Sequence, residues 1–402
     1  MLLFNFIVLL IKSIFRVVLI NLVLLIGLLI YGTFHYDIDQ NDLKEFYLMN
    51  KDYIKRLDKR SGSIKHFPEV SQNISTKEVI KVSERSAIKS KADHAKDRVW
   101  ELLKTYAPEG HYILKEYYNA PLVYKFPSQT LTFGDKTDFI SYLEGYTEEE
   151  VVASLPTIVH KINHGYTSLL AFREMEKERI DNPGNRHELF YIRKNKSILV
   201  PRTRVFNSSE LDQIIPKKFH TSRYFYIHPS SGLKSHLQGI YGLVDEWNAY
   251  YHGTKTAVEL FDYFNKKPDK RQQFIRYLKT INNQYTAYAE FKYYILNYLL
   301  YAKQSYPDIY KSLMNNKPLM DAIVQINTHY KNINRTYFNR QAEMCRVLQK
   351  EGIRCEQTRG GMRIGRLSLN MSKEDYALLM DELEKREYRR MWDRILKKSS
   401  KN

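Results

Sequence analysis

The alternation of apolar and polar positions divides the chain into four stretches. From Val17 to Phe34, eighteen residues run with only Asn21, Gly27, Gly32 and Thr33 as interruptions; residues 1–11 are almost as apolar, and Lys12 and Arg16 lie between. A run of this length predicts a bilayer-spanning helix, and no Ala-x-Ala cleavage pattern follows it. Residues 1–36 therefore read as an N-terminal signal anchor, with a cleaved signal peptide and secretion as the alternative. Residues 37–95 are polar, and their second half sets seven serines, from Ser61 to Ser90, among lysines with few aromatics. Such a composition buries little apolar area and reads as a stalk. Apolar periodicity resumes at residue 96 and predicts a globular domain over 96–330. A C-terminal helix–hairpin–helix subdomain, packed on that domain, is predicted over 331–402.

The expected class is α+β and helix-dominated, with small β-hairpins. Val99–Tyr106 has a helical pattern, whereas Tyr112–Tyr118 and Leu122–Phe126 alternate as strands do. Thr147 with Glu150 forms a capping box that opens a short helix, and Ser154-Leu155-Pro156 restarts it, with Pro156 in the first turn. Leu155, Ile158 or Val159, Ile162, Tyr166 and Leu169 then carry an apolar face to the stop signal Asp181-Asn182-Pro183-Gly184. Leu189–Arg193 and Ser197–Val200 flank Lys194-Asn195-Lys196 as a hairpin. Helices are expected over 255–265, 270–303, 307–314 and 318–351. A hairpin around Arg359-Gly360-Gly361 and a charged helix from Lys373 to Lys398 follow. Those glycines join two strands rather than opening a helix, so they read as a turn and not as a phosphate loop.

Two stripes of small side chains stand out. On the first helix Ala153, Thr157, His160, His164, Thr167 or Ser168, and Ala171 recur at three- and four-residue intervals. Between residues 235 and 253, Gly239, Gly242, Glu246, Ala249 and Gly253 do the same, opposite an apolar face of Leu237, Ile240, Val244, Trp247 and Tyr251. Glycine costs about 1 kcal/mol in a helix interior, so its repetition on one face points to close approach of another backbone. The two helices are expected to pack stripe to stripe, with Glu246 in the middle. A desolvated carboxylate there needs a cation or several hydrogen bonds.

His160 and His164 lie one turn apart, so both rings can reach a single metal ion. With Glu246 from the later helix, the chain resembles the gluzincin branch of the zincin-like metallopeptidases, in which two motif histidines and a distant glutamate bind zinc. The resemblance implies a zincin-like helical core with His160, His164 and Glu246 as the metal ligands. Lys161 occupies the place of the family's general base, and an ammonium accepts no proton from water. Tyr250, Tyr251 or His252 would stabilise an oxyanion, with Tyr250 the representative choice. The implied centre is degenerate and the implied role non-catalytic, binding a protein, peptide or envelope ligand. Two other roles stay open: a hydrolase with another base among Glu148, Glu149, Glu150 and Asp245, and a basic structural protein of the cell envelope in which the histidines merely pack. The cofactor is zinc, or none if the Lys161 ammonium pairs with Glu246 in the ion's place.

Charge and cysteine content narrow the setting. The 402 residues carry a net charge of +18, dispersed along the chain, without a nucleic-acid-binding module. Lys12 and Arg16 precede the apolar run while Asp37, Asp39, Asp42 and Glu45 follow it, which places the bulk of the chain outside the cytoplasm. Nucleic acid is therefore not an expected partner; anionic lipid or envelope polymer is. Cys345 and Cys355 are the only cysteines and fit no zinc ribbon. They either close a small loop or remain free thiols. The 32 tyrosines, at helical spacing, read as core and interface residues.

Overall fold

The computed structural model describes residues 76–180, 187–281 and 284–400. The expected anchor, the stalk as far as residue 75 and the stop signal at 181–184 lie outside the described residues. No described helix is long and apolar enough to cross a membrane.

The described chain begins with α1 (Thr76–Tyr106), which runs across the expected stalk boundary at residue 95, and α2 (Pro108–Asn119). The strand expected at Tyr112–Tyr118 is thus a helix. Pro108 and Glu109 supply the first-turn signals, and Gly110, Ile113, Leu114 and Tyr117 are buried at helical spacing, which overrides the partial alternation. A short hairpin follows, β1 (Val123–Lys125) with β2 (Thr130–Thr132).

Thr147 caps α3 (Glu148–Lys177) in the expected capping box, but no restart occurs at Pro156, which lies inside one continuous helix. Proline costs about 3 kcal/mol in a helix interior. Packing outweighs that cost here, because Val151, Val152 and Leu155 before it and Ile158, Val159 and Ile162 after it are all buried. The second hairpin pairs β3 (His187–Arg193) with β4 (Lys196–Pro201) in antiparallel register, Leu189 opposite Leu199. Its turn places Asn195 at φ 63°, a left-handed conformation asparagine tolerates.

Short 3-10 turns lead to α4 (Ile240–Glu259), α5 (Phe261–Lys266), α6 (Lys270–Ile281), α7 (Ala287–Ser305), α8 (Pro307–Asn315) and α9 (Lys317–Lys350). The single helix expected over 270–303 is therefore two, and the boundary placed at 330/331 falls inside α9. A three-stranded antiparallel sheet, β5 (Cys355–Gln357), β6 (Gly361–Ile364) and β7 (Leu367–Asn370), replaces the expected hairpin. Gly365, at φ 59°, makes the extra turn. The terminal charged helix is split into α10 (Lys373–Leu383) and α11 (Arg386–Ser399). Cys345 on α9 is disulfide-bonded to Cys355 at the start of β5.

Two hydrophobic clusters form the core. One gathers α1, α2, α3, α6 and the second half of α9; the other gathers α7, α8, α10, α11 and most of α4. Strand β3 lies between them, with Leu189 and Tyr191 in the first and Phe190 and Ile192 in the second, as side-chain alternation requires. Helices α3 and α4 meet at the same junction.

Candidate metal centre

The α3–α4 crossing is antiparallel and close. A Cβ added to Gly253 would lie 2.9 Å from the carbonyl oxygen of Pro156 and 3.3 Å from Cβ of His160, so glycine is required there. The other stripe glycines serve different ends. Gly239 is the N-cap of α4 at φ 57°, against Phe206 and Tyr298, and Gly242 makes room for the carbonyl of Ser235. Stripe-to-stripe packing therefore excludes the Gly239–Gly242 end of α4. Thr157 is exposed. Leu237, expected on the apolar face, is 73% exposed in the 3-10 turn Lys234–Gln238, one turn before the helix starts.

The crossing brings His160, His164 and Glu246 together. His160 Nε2 is 3.3 Å from His164 Nε2, and Glu246 Oε2 is 3.6 Å from the first and 3.5 Å from the second. For a triangle with these sides, the point equidistant from all three atoms lies about 2.0 Å from each, the length of a zinc–nitrogen or zinc–oxygen bond. Glu246 Oε2 is buried without a hydrogen-bond partner, and the apex it faces is formed by the two ring nitrogens. The donor set of two imidazoles and a carboxylate suits zinc and its neighbours among the transition metals.

Asp245 completes the arrangement. Its Oδ2 lies 2.7 Å from His164 Nδ1, which fixes that nitrogen as the N–H donor and turns Nε2 toward the triangle. Burial alone would strip the His164 proton, but the charges of Asp245 and Glu246 overcome it and raise the imidazolium pKa to about 10. His160 goes the other way: burial first, then the cations of His164, Lys161 and Arg223, push it well below the usual histidine range. Burial opposes the charge of Glu246, yet His164, Lys161 and a hydrogen bond from Tyr226 hold its pKa below the ordinary carboxylate value. Without metal, the centre is thus a neutral His160, a protonated His164 and an ionised Glu246. Beyond Asp245 lies Glu188, raised to about 7 by burial and by the Asp245 charge, with Arg202 3.3 Å away as its partner.

Lys161 flanks the triad without entering it. Its side chain is exposed, and among the described residues no ion pair joins it to Glu246. The Tyr250 ring stands edge-on to His160 at 4.3 Å between centroids, with its hydroxyl 3.3 Å from that of Tyr226. Behind it the Arg223 guanidinium covers the ring at 4.3 Å and is anchored by Glu290 at 2.6 Å. Tyr251 and His252 point elsewhere: Tyr251 is in the core, and His252 Nε2 donates to the Tyr191 carbonyl at 2.9 Å. The three acids expected as substitute bases are at the start of α3, where Glu148 binds Arg98, Glu149 binds Arg276 and Glu150 serves the cap. At 1.5 Å per residue they are about 15 Å or more from His160 along the helix. Asp245 does reach the centre, but its carboxylate is held by His164.

Tyr226, Arg223 and Glu290 were not legible as site residues. Tyr226 sits in a three-residue 3-10 turn whose placement follows no periodic pattern. Cavities of about 400 and 540 Å³ lie elsewhere, the first against β4 and the second between α7 and α10–α11, and no triad residue lines either. Comparison with protein-family models, curated proteins and solved structures finds no match.

Proposed function

We propose that this chain is a metal-binding protein of zincin-like type, in which His160, His164 and Glu246 hold a zinc ion for binding rather than hydrolysis. The observation that carries the reading is the triangle of ring nitrogens and carboxylate oxygen with sides of 3.3, 3.5 and 3.6 Å. The Asp245–His164 bond supports it, because it orients a ligating imidazole in the way metal sites require. A bound zinc ion supplies a Lewis acid with one coordination position left open. The residue beside His160 is an exposed lysine, and the acids that would replace the base are distant or engaged, which favours a non-catalytic role. The exposed position of Lys161 also disfavours an ammonium standing in for the ion. The Cys345–Cys355 bond is consistent with an oxidising, extracytoplasmic setting.

The test is Lys161→Glu in the full-length protein. Replacing a cation beside the triad by an anion is expected to tighten zinc binding about tenfold or more by isothermal titration. Affinity that is unaltered or lower counts against a zinc ion at these three residues.

A further inference from the structure

Residue 161 follows His160 by about 100° around the helix axis, and His164 lies at about 40°, so Lys161 projects on the His164 side of the triad. That is also the side open to solvent, since His164 and Asp245 are 26% and 24% exposed at their side chains while His160 is 5% exposed. The more exposed side of the triad is therefore the one that carries the Asp245 carboxylate and the Lys161 side chain.

Formal charge decides what fits there. A divalent ion with Glu246, Asp245 and the Lys161 ammonium leaves one positive charge uncompensated. The neighbouring Arg223–Glu290 pair neutralises itself, and the Arg202–Glu188 pair adds no net negative charge. A neutral ligand leaves that charge unpaired, and a dianion overcompensates it beside the partly exposed Asp245 carboxylate.

We propose that the open position above the His160–His164–Glu246 centre, flanked by Lys161, receives a carboxylate group of a ligand. The inference rests on the metal-binding reading and deepens it: lysine in place of the base converts a water-activating site into a receptor for a monoanion. A carboxylate there would offer an oxygen to a bound ion while lying in the field of the Lys161 ammonium, so that both cations would favour it.

The experiment uses the full-length protein loaded with cobalt(II), whose visible spectrum reports coordination, titrated with acetate, acetamide and inorganic phosphate. Acetate is expected to shift the bands, and acetamide to leave them unaltered. Phosphate is expected to bind more weakly than acetate. In Lys161→Ala acetate affinity is expected to fall about tenfold while cobalt binds more tightly, because the same cation attracts the anion and repels the metal. Lys161→Arg retains acetate binding. A cobalt spectrum indifferent to acetate, acetate affinity unaltered in Lys161→Ala, or preference for phosphate overturns the carboxylate inference alone. Failure of cobalt to bind overturns the metal reading with it.

Discussion

His164 holds two protonation partners at once, Asp245 on Nδ1 and the His160–Glu246 pair beside Nε2, and so keeps its proton up to a pH of about 10. A metal ion must displace the Nε2 proton, because that atom is the ligand. Zinc binding at pH 7–8 is accordingly expected to release about one proton per ion. Affinity should rise by about tenfold per pH unit toward 10, measured with an indicator dye and by titration at several pH values. A release near zero would mean that His164 is not displaced from its protonated state. Asp245→Asn removes the charge that orients the ring and is expected to weaken zinc binding about 10- to 100-fold with little loss of fold. His160 and His164 were readable as a pair from their helical interval, and it was the resemblance that added Glu246 from the later helix. Asp245 was visible as an acid but not as the partner of His164, because which acid reaches a ring nitrogen depends on the crossing angle of two helices.

The α3–α4 crossing sets that angle, and Gly253 sets its closeness. The neighbour a new Cβ would meet is the Pro156 carbonyl oxygen at 2.9 Å, a backbone atom that cannot rotate aside. Gly253→Ala is expected to cost about 1–3 kcal/mol in chemical denaturation and to loosen zinc binding as the helices part. Gly360→Ala, whose added Cβ meets nothing nearer than 3.9 Å, serves as the control and should leave both unaltered. Legibility at this level followed the strength of local signals. The Thr147 capping box and the β3–β4 hairpin emerged as read, because each is specified by residues within a few positions. Pro156 and Tyr112–Tyr118 did not. At Pro156 burial on both sides of the proline overrode a local stop signal, and at Tyr112–Tyr118 a helical burial pattern coexisted with apparent alternation. Gly239 and Gly242 matched the stripe by interval but answered to a left-handed cap and to a tight turn instead.

Residues Val79–Asn402 form one compact unit in which α4 and β3 each face both hydrophobic clusters, so the candidate metal centre lies where the two clusters join. The disulfide sits at the far end of α9, closing a loop of sequence separation 10 between Cys345 and Cys355. Loops of this size contribute about 2–3 kcal/mol by restricting the unfolded chain. Reduction is expected to lower the unfolding free energy by that amount while zinc affinity stays as it was, compared by denaturation and titration with and without reductant. A loss of zinc binding on reduction would show that the C-terminal sheet supports the centre directly. Helix dominance and small antiparallel hairpins were readable from the sequence as a whole. The division of the apolar residues between two clusters was not, because it depends on which elements are neighbours in space.

The most direct measurement is cobalt(II) and zinc titration of the full-length protein, read by visible absorption and calorimetry, alongside His160→Ala, His164→Ala and Glu246→Ala. One ion per chain is expected, with a low-symmetry four- or five-coordinate cobalt spectrum that each of the three substitutions abolishes or weakens by orders of magnitude. A chain that binds no ion, or binds one indifferently to those substitutions, would contradict a metal centre at the α3–α4 crossing.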